Sequence, residues 1–127
     1  MSTTLPPATD GVVTGLKSLA IPLATCKAGE RFDDLQPIKM FVRGRRIVAM
    51  GEATHGTREF SQLKHRLFEW LVVEMGFTAL AIEANFPECM LLDRFVTTGE
   101  GDPLDGITGM RFWPWNTEEV LELIRTN

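Results

Sequence analysis

In the stretch GEATHGTREF, residues 51–60, a glutamate and a histidine, Glu52 and His55, stand three apart between two glycines. A histidine side chain titrates ordinarily near pH ~6.5 and is suited to general-base work at neutral pH. A carboxylate bonded to one ring nitrogen would fix its tautomer and stabilise the imidazolium that forms on proton uptake. A further carboxylate, Glu83, closes the apolar run FTALAIE. Either glutamate could orient the imidazole, leaving the other to orient a water. No serine or cysteine stands as a nucleophile. Ser61 falls inside the following helix, and there is no G-x-S-x-G elbow. The set therefore points to a base that activates water directly.

Competing chemistries fit less well. GEATHGTR has the glycine spacing of a phosphate-binding loop, but Thr57 occupies the lysine position and Arg58 the position of the magnesium-holding hydroxyl. Glu52 and His55 are two potential metal ligands with no third at a useful spacing, so neither metal nor cofactor is expected. The other histidine, His65, reads as an exposed helix residue. Cys26 and Cys89 form no metal-type spacing and read as buried, inert thiols. Trp113 and Trp115, in RFWPWN, suit packing at the core or its rim more readily than stacking on a substrate.

These residues need elements to position them. RIVAMGE, residues 46–52, reads as a buried strand opened by the β-branched Ile47 and Val48. Residues 57–76 form the best helix: Phe60, Leu63, Leu67, Leu71 and Met75 recur at steps of three and four, and Gly76 stops it. FTALAIE, residues 77–83, reads as a second strand. Strand, crossover helix and strand predict a parallel βαβ unit, in which Glu52, His55 and Glu83 would converge at the carboxyl ends of the strands.

Elsewhere, residues 12–23 are helical up to Pro22. Residues 32–42 form a short amphipathic helix capped by Asp33 or Asp34, with Pro37 near its first turn. Residues 86–99 are helical and residues 99–109 irregular. Asn116 with Glu119 caps a helix through Ile124.

The composition is that of a globular chain, with 44% hydrophobic and 24% charged residues. A net charge of −4 argues against general affinity for nucleic acid or anionic membrane. No apolar run approaches the ~20 residues of a membrane span, and the first ten residues lack the pattern of a secretory signal. Cytoplasm is the expected compartment.

The whole run RIVAMGEATHGTREFSQLKHRLFEWLVVEMGFTALAIEAN resembles the signature region of the erythromycin esterase family. GEATHGTREF followed by GF-x-x-x-AIEAN is a specific combination, and the likeness continues into FWPWNTEEVLELI. The resemblance implies that His55 is the general base, that Glu52 and Glu83 belong to the catalytic site, and that hydrolysis of a macrolide lactone or other carboxylic ester proceeds without metal. It also places a basic residue of the site at Lys64, where arginine is expected and lysine lacks the bidentate fork. Lys64, Arg58 and Trp113 are the candidates for substrate contact.

Members of the family are longer. The expectation is an α/β fold with a partial parallel sheet and flanking helices, carried by residues 11–127 as the N-terminal portion of such a domain behind a flexible lead, residues 1–10. The expected partners are an ester or lactone substrate and either a missing C-terminal segment or a second copy of the chain. The competing function is a non-catalytic remnant that binds a small molecule or another chain.

Overall fold

The computed structural model describes residues 10–126. The element order is α1 Asp10–Leu19, a 3-10 helix Asp33–Ile38 running into α2 Lys39–Val42, α3 Arg58–Met75, α4 Phe86–Thr98, α5 Pro103–Gly109, a 3-10 turn Trp113–Trp115, and α6 Glu118–Thr126. Of the expected lead, residues 1–9 lie outside the described residues, and Asp10 already opens α1.

Helix α3 is the organiser. Its C-terminus ends as expected on Gly76, at φ 75°, where only glycine avoids a Cβ penalty. The Phe77 N–H then bonds back to the Leu71 carbonyl at 3.0 Å, closing the last turn. One face of the helix carries Trp70 and Leu71 into a core with Leu35 and Val42, against which Val48 and Phe77 also pack. A second core gathers Leu92, Ile107, Met110 and Val120 from α4, α5, the residue after α5 and α6. Residues 77–84 run between the two cores: Phe77 packs on the first, Ile82 and Ala84 on the second.

The parallel sheet is not formed. Among the described residues there is no strand, and no backbone hydrogen bond joins residues 46–52 to residues 77–83. The two runs are irregular connectors. Ile47, the expected opening residue of a buried strand, is 86% exposed, and Leu80 is 42% exposed. The physical reason is that β-propensity describes a fit to neighbours on a pleated surface, and two short runs alone offer too little ladder to repay their ordering. The βαβ argument for convergence therefore falls.

Three smaller readings also change. Residues 99–109 are not irregular throughout: α5 occupies Pro103–Gly109, with Asp102 as its cap accepting from the Leu104 N–H at 2.9 Å. The cap of α6 is Thr117, whose Oγ1 accepts from the Val120 N–H at 3.3 Å, one residue after the expected Asn116. Neither Asp33 nor Asp34 caps the helical segment that they open. No described helix is long and apolar enough to cross a membrane.

Candidate active site

The loop between residue 50 and α3 folds back on itself. The Thr54 and Thr57 hydroxyls share a hydrogen bond of 2.7 Å, and Gly56 takes φ 77°. A Cβ at Gly56 would stand 3.4 Å from the Trp113 ring, an ordinary contact, so it is the positive φ of the turn that needs glycine. This loop sets Glu52 and His55 in direct contact, Nδ1 of the imidazole against Oε1 of the carboxylate. The second carboxylate oxygen, Oε2, accepts from Nζ of Lys64, one turn and more into α3.

Glu52 is thus held from two sides. Its side chain is only 19% exposed, as is that of Lys64. Lys64 first, and His55 second, keep its carboxyl below the usual carboxylate range, so the group stays an anion at neutral pH. The His55 side chain is 58% exposed. With Nδ1–H donated to Glu52, the lone pair of a neutral imidazole lies on Nε2, the nitrogen free to take a proton from water.

The 3-10 turn Trp113–Trp115 closes over this set. Trp113 meets the His55 ring edge-on, with centroids 5.7 Å apart and planes at 88°. Nζ of Lys64 lies 5.7 Å from the centroid of Trp115. Nε1 of Trp115 donates to the Glu83 backbone carbonyl at 2.9 Å. Glu83 is exposed, and it joins the neighbourhood through its backbone rather than through the level end of a strand.

Arg58, the remaining sequence candidate, is turned away to an ion pair with Glu119 of α6, Nε to Oε1 at 2.6 Å. It borders two small cavities. One, of about 190 Å³, lies between the N-termini of α3 and α6 beside Gly56 and Thr57. The other, of about 260 Å³, is lined by Lys27, Gln62, His65 and Glu122. No group of three or more His, Cys, Asp or Glu side chains suited to a metal gathers among the described residues.

His65 is buried, at 4% exposure, and so is not the exposed helix residue that the sequence suggested. Burial pushes its imidazole below the ordinary value, with Glu69 and Glu122 opposing, and its Nε2 has no partner. The cause is that α3 is covered on two sides, by the first core and by α6, so more of its circumference is enclosed than one apolar stripe implies. Cys26 and Cys89 are free and half-buried. Burial raises the Cys89 thiol, which donates towards the Met110 sulfur at 3.6 Å.

Sequence reasoning read Trp115 as core or rim packing, which it provides at the second core, but gave no sign of its bond to the Glu83 carbonyl or of the Arg66 clasp. Arg66 is fully buried. It donates to both oxygens of Asp34 at 2.5 and 3.0 Å, and to the carbonyls of Thr25 and Arg31 at 2.9 and 2.5 Å. That clasp ties the long connector before α2 to the helix that carries Lys64. Asp34 also accepts from the Ala24 N–H at 2.7 Å. A carboxylate and an arginine 32 residues apart give no local signal.

Comparison with known proteins gives a consistent picture. Residues 72–126 match the family model described as erythromycin esterase. That segment contains Glu83, Trp113, Trp115 and Glu119, and it begins after Glu52, His55 and Lys64. Over 104 residues the chain is 33% identical to the Bacillus subtilis (strain 168) protein named "Putative hydrolase YbfO", covering 82% of this chain and 22% of that one. Over 81 residues it is 30% identical to erythromycin esterase type II of Escherichia coli, covering 64% of this chain and 19% of that one. Two crystal structures share its arrangement. One is titled a succinoglycan biosynthesis protein, with TM-score 0.84, 31% identity, 97% of this chain and 30% of that one covered. The other is a Bacillus cereus protein, with TM-score 0.83, 36% identity, 95% of this chain and 29% of that one covered. The chain spans less than a third of the length of each of these relatives.

Proposed function

From the premise that this chain carries part of the erythromycin esterase family, we propose that the protein hydrolyses a carboxylic ester or macrolide lactone through a water activated by His55. The observation that carries the reading is the Glu52 carboxylate shared between Nδ1 of His55 and Nζ of Lys64. The arrangement is that of a base with its orienting carboxylate. A nucleotide loop has no use for an imidazole held by an anion, and a metal site would need more ligands.

In this reading Nε2 of His55 takes a proton from water as the oxygen adds to the carbonyl carbon. The tetrahedral intermediate then breaks its bond to the alkoxy oxygen. The imidazolium returns the proton to that leaving oxygen. An ester gives acid and alcohol, and a lactone gives a single hydroxy acid. Glu52 holds the tautomer and stabilises the imidazolium. Lys64 keeps Glu52 ionised and oriented, a duty closer to the base than the substrate contact expected of it. Trp113 lies beside His55, and in this reading Glu83 orients the water from the adjoining segment. No metal takes part, and the compartment is the cytoplasm.

The test is His55→Asn, which keeps size and one hydrogen bond but removes proton acceptance. In a form of the protein that hydrolyses esters, turnover is expected to fall by ~10²–10⁴-fold, the typical worth of a general base. Near-unchanged hydrolysis of the best ester in a panel of simple esters and macrolides rejects the mechanism.

A further inference from the structure

We propose that Trp115 is a positioning residue of this site: its ring holds Lys64 against Glu52, and its indole N–H ties down the segment that carries Glu83. The inference rests on the hydrolase reading above for its purpose, though not for its geometry.

Four contacts form one chain of support. Nε1 of Trp115 donates to the Glu83 carbonyl at 2.9 Å. The face of the same ring lies 5.7 Å from Nζ of Lys64, within the range of a cation–π attraction. Lys64 bonds Oε2 of Glu52, and Glu52 bonds Nδ1 of His55. Trp115 is itself fixed. It packs on the core of Leu92, Ile107, Met110 and Val120, and its backbone N–H bonds the Phe112 carbonyl at 3.1 Å. Through Trp115 the second core therefore reaches Lys64 and, beyond it, the dyad.

The need for such a device follows from the missing sheet. Residues 77–83 have no ladder to fix them, so their placement beside α3 depends on side-chain contacts. A lysine ammonium is a strongly hydrated point charge on a flexible stem. Left to itself it would not hold one carboxylate oxygen in a fixed direction. An aromatic face on its other side restricts it. A tryptophan that merely filled the second core would have no reason to spend its N–H on residue 83 and its face on a cation.

A structural role and a positioning role predict different things for Glu52. The titratable groups facing its carboxylate are Lys64 on α3 and His55 on its own loop. If Trp115 holds Lys64 in place, losing the indole frees Lys64, and the Glu52 carboxyl rises towards its ordinary value. If Trp115 only packs, its loss lowers the melting temperature and leaves that carboxyl unmoved.

The experiment is a carbon-detected NMR titration of the Glu52 carboxyl, in a form of the protein first shown by light scattering to be monodisperse, for wild type, Trp115→Phe and Trp115→Leu. In Trp115→Leu the midpoint should rise by about half a pH unit, roughly a threefold gain in proton affinity. Trp115→Phe keeps a ring face but loses the N–H, and should fall between. An unmoved midpoint in folded Trp115→Leu overturns the proposal. Should both variants fail to fold, the wild type still decides. The Trp115 indole N–H signal should shift through the same midpoint as the Glu52 carboxyl, and an indole signal blind to that titration overturns the proposal equally. None of these readouts needs a substrate. A chain with the predicted titrations and no esterase activity in any form of the protein would sink the hydrolase reading while leaving the positioning role standing.

Discussion

At the level of single residues, the clearest electrostatic commitment is the Arg66–Asp34 pair. The Arg66 hydrogen bonds hold the Asp34 carboxyl down at about 2, against an ordinary aspartate near ~3.9. A carboxyl depressed in the folded state stabilises it above the unfolded value, and the contribution is lost as pH falls through the folded one. Urea midpoints should therefore decline between pH ~4 and ~2. Asp34→Asn should flatten part of that decline without removing it, because Glu52 is depressed as well. At neutral pH the same variant leaves a fully buried guanidinium short of its counter-charge, an expected loss of about 3–5 kcal/mol. A neutral-pH loss well under 1 kcal/mol would show the clasp to be dispensable. At the dyad, Glu52→Gln should cut turnover by up to ~10⁴-fold by favouring the wrong tautomer, as loss of an orienting carboxylate does. Here the sequence was informative in one direction only. Glu52 and His55 declared themselves because their types, spacing and flanking glycines are local. Trp115, His65 and Arg66 did not, because their partners come from distant segments or from helices that close over α3.

At the level of elements, helices were legible and the sheet was a misreading. Periodicity and glycine stops describe what a segment does with its own backbone, and α3 and α4 end on glycines at φ 75° and 74° as such signals predict. A strand is defined by a partner, and neither RIVAMGE nor FTALAIE has one among the described residues. Helix α5 was overlooked for the opposite reason: its glycines masked a good start, with Asp102 as cap and Pro103 in the first turn. Those glycines are not equivalent. A Cβ at Gly106 would fall 2.8 Å from Cγ of Leu92, which is 7% exposed and part of the second core. A Cβ at Gly109 meets nothing within 4 Å. Gly106→Ala should thus destabilise by about 1–3 kcal/mol through overpacking, despite the better helix propensity of alanine. Gly109→Ala should be neutral or stabilise by up to ~1 kcal/mol by restricting the unfolded chain. Thermal unfolding of the two single variants checks the contrast, and equal effects would mean that α4 and α5 are not packed as described.

At the level of the whole molecule, the surface is too large for the mass. The chain exposes 9645 Å². A compact monomer of its 14.2 kDa would expose about 6,800 Å² by the usual scaling. Ten residues weigh roughly 1.1 kDa and would add only about 1,600 Å² even if fully unfolded, so the excess cannot come from the ten undescribed positions alone. Part of it is apolar: Leu19 is 84% exposed, Met40 75%, Ile47 86%, Val73 68% and Phe86 78%. Surfaces of this kind are covered in stable proteins, by other chain or by another molecule. The relatives, of which this chain spans less than a third, have far more polypeptide with which to do so. The consequence for function is direct. On the proposed mechanism a base contributes its full effect only when substrate and charge-stabilising groups are fixed around it, and His55 sits on an exposed loop with one aromatic ring beside it. Residues 1–127 by themselves should therefore self-associate at micromolar concentration and hydrolyse neither simple esters nor macrolides at a useful rate. Size-exclusion chromatography with light scattering reads the first expectation and a substrate panel the second. A monodisperse monomer that turns over an ester, and loses that turnover on His55→Asn, would show that the open surface is tolerated and that the helical scaffold described here is sufficient for catalysis.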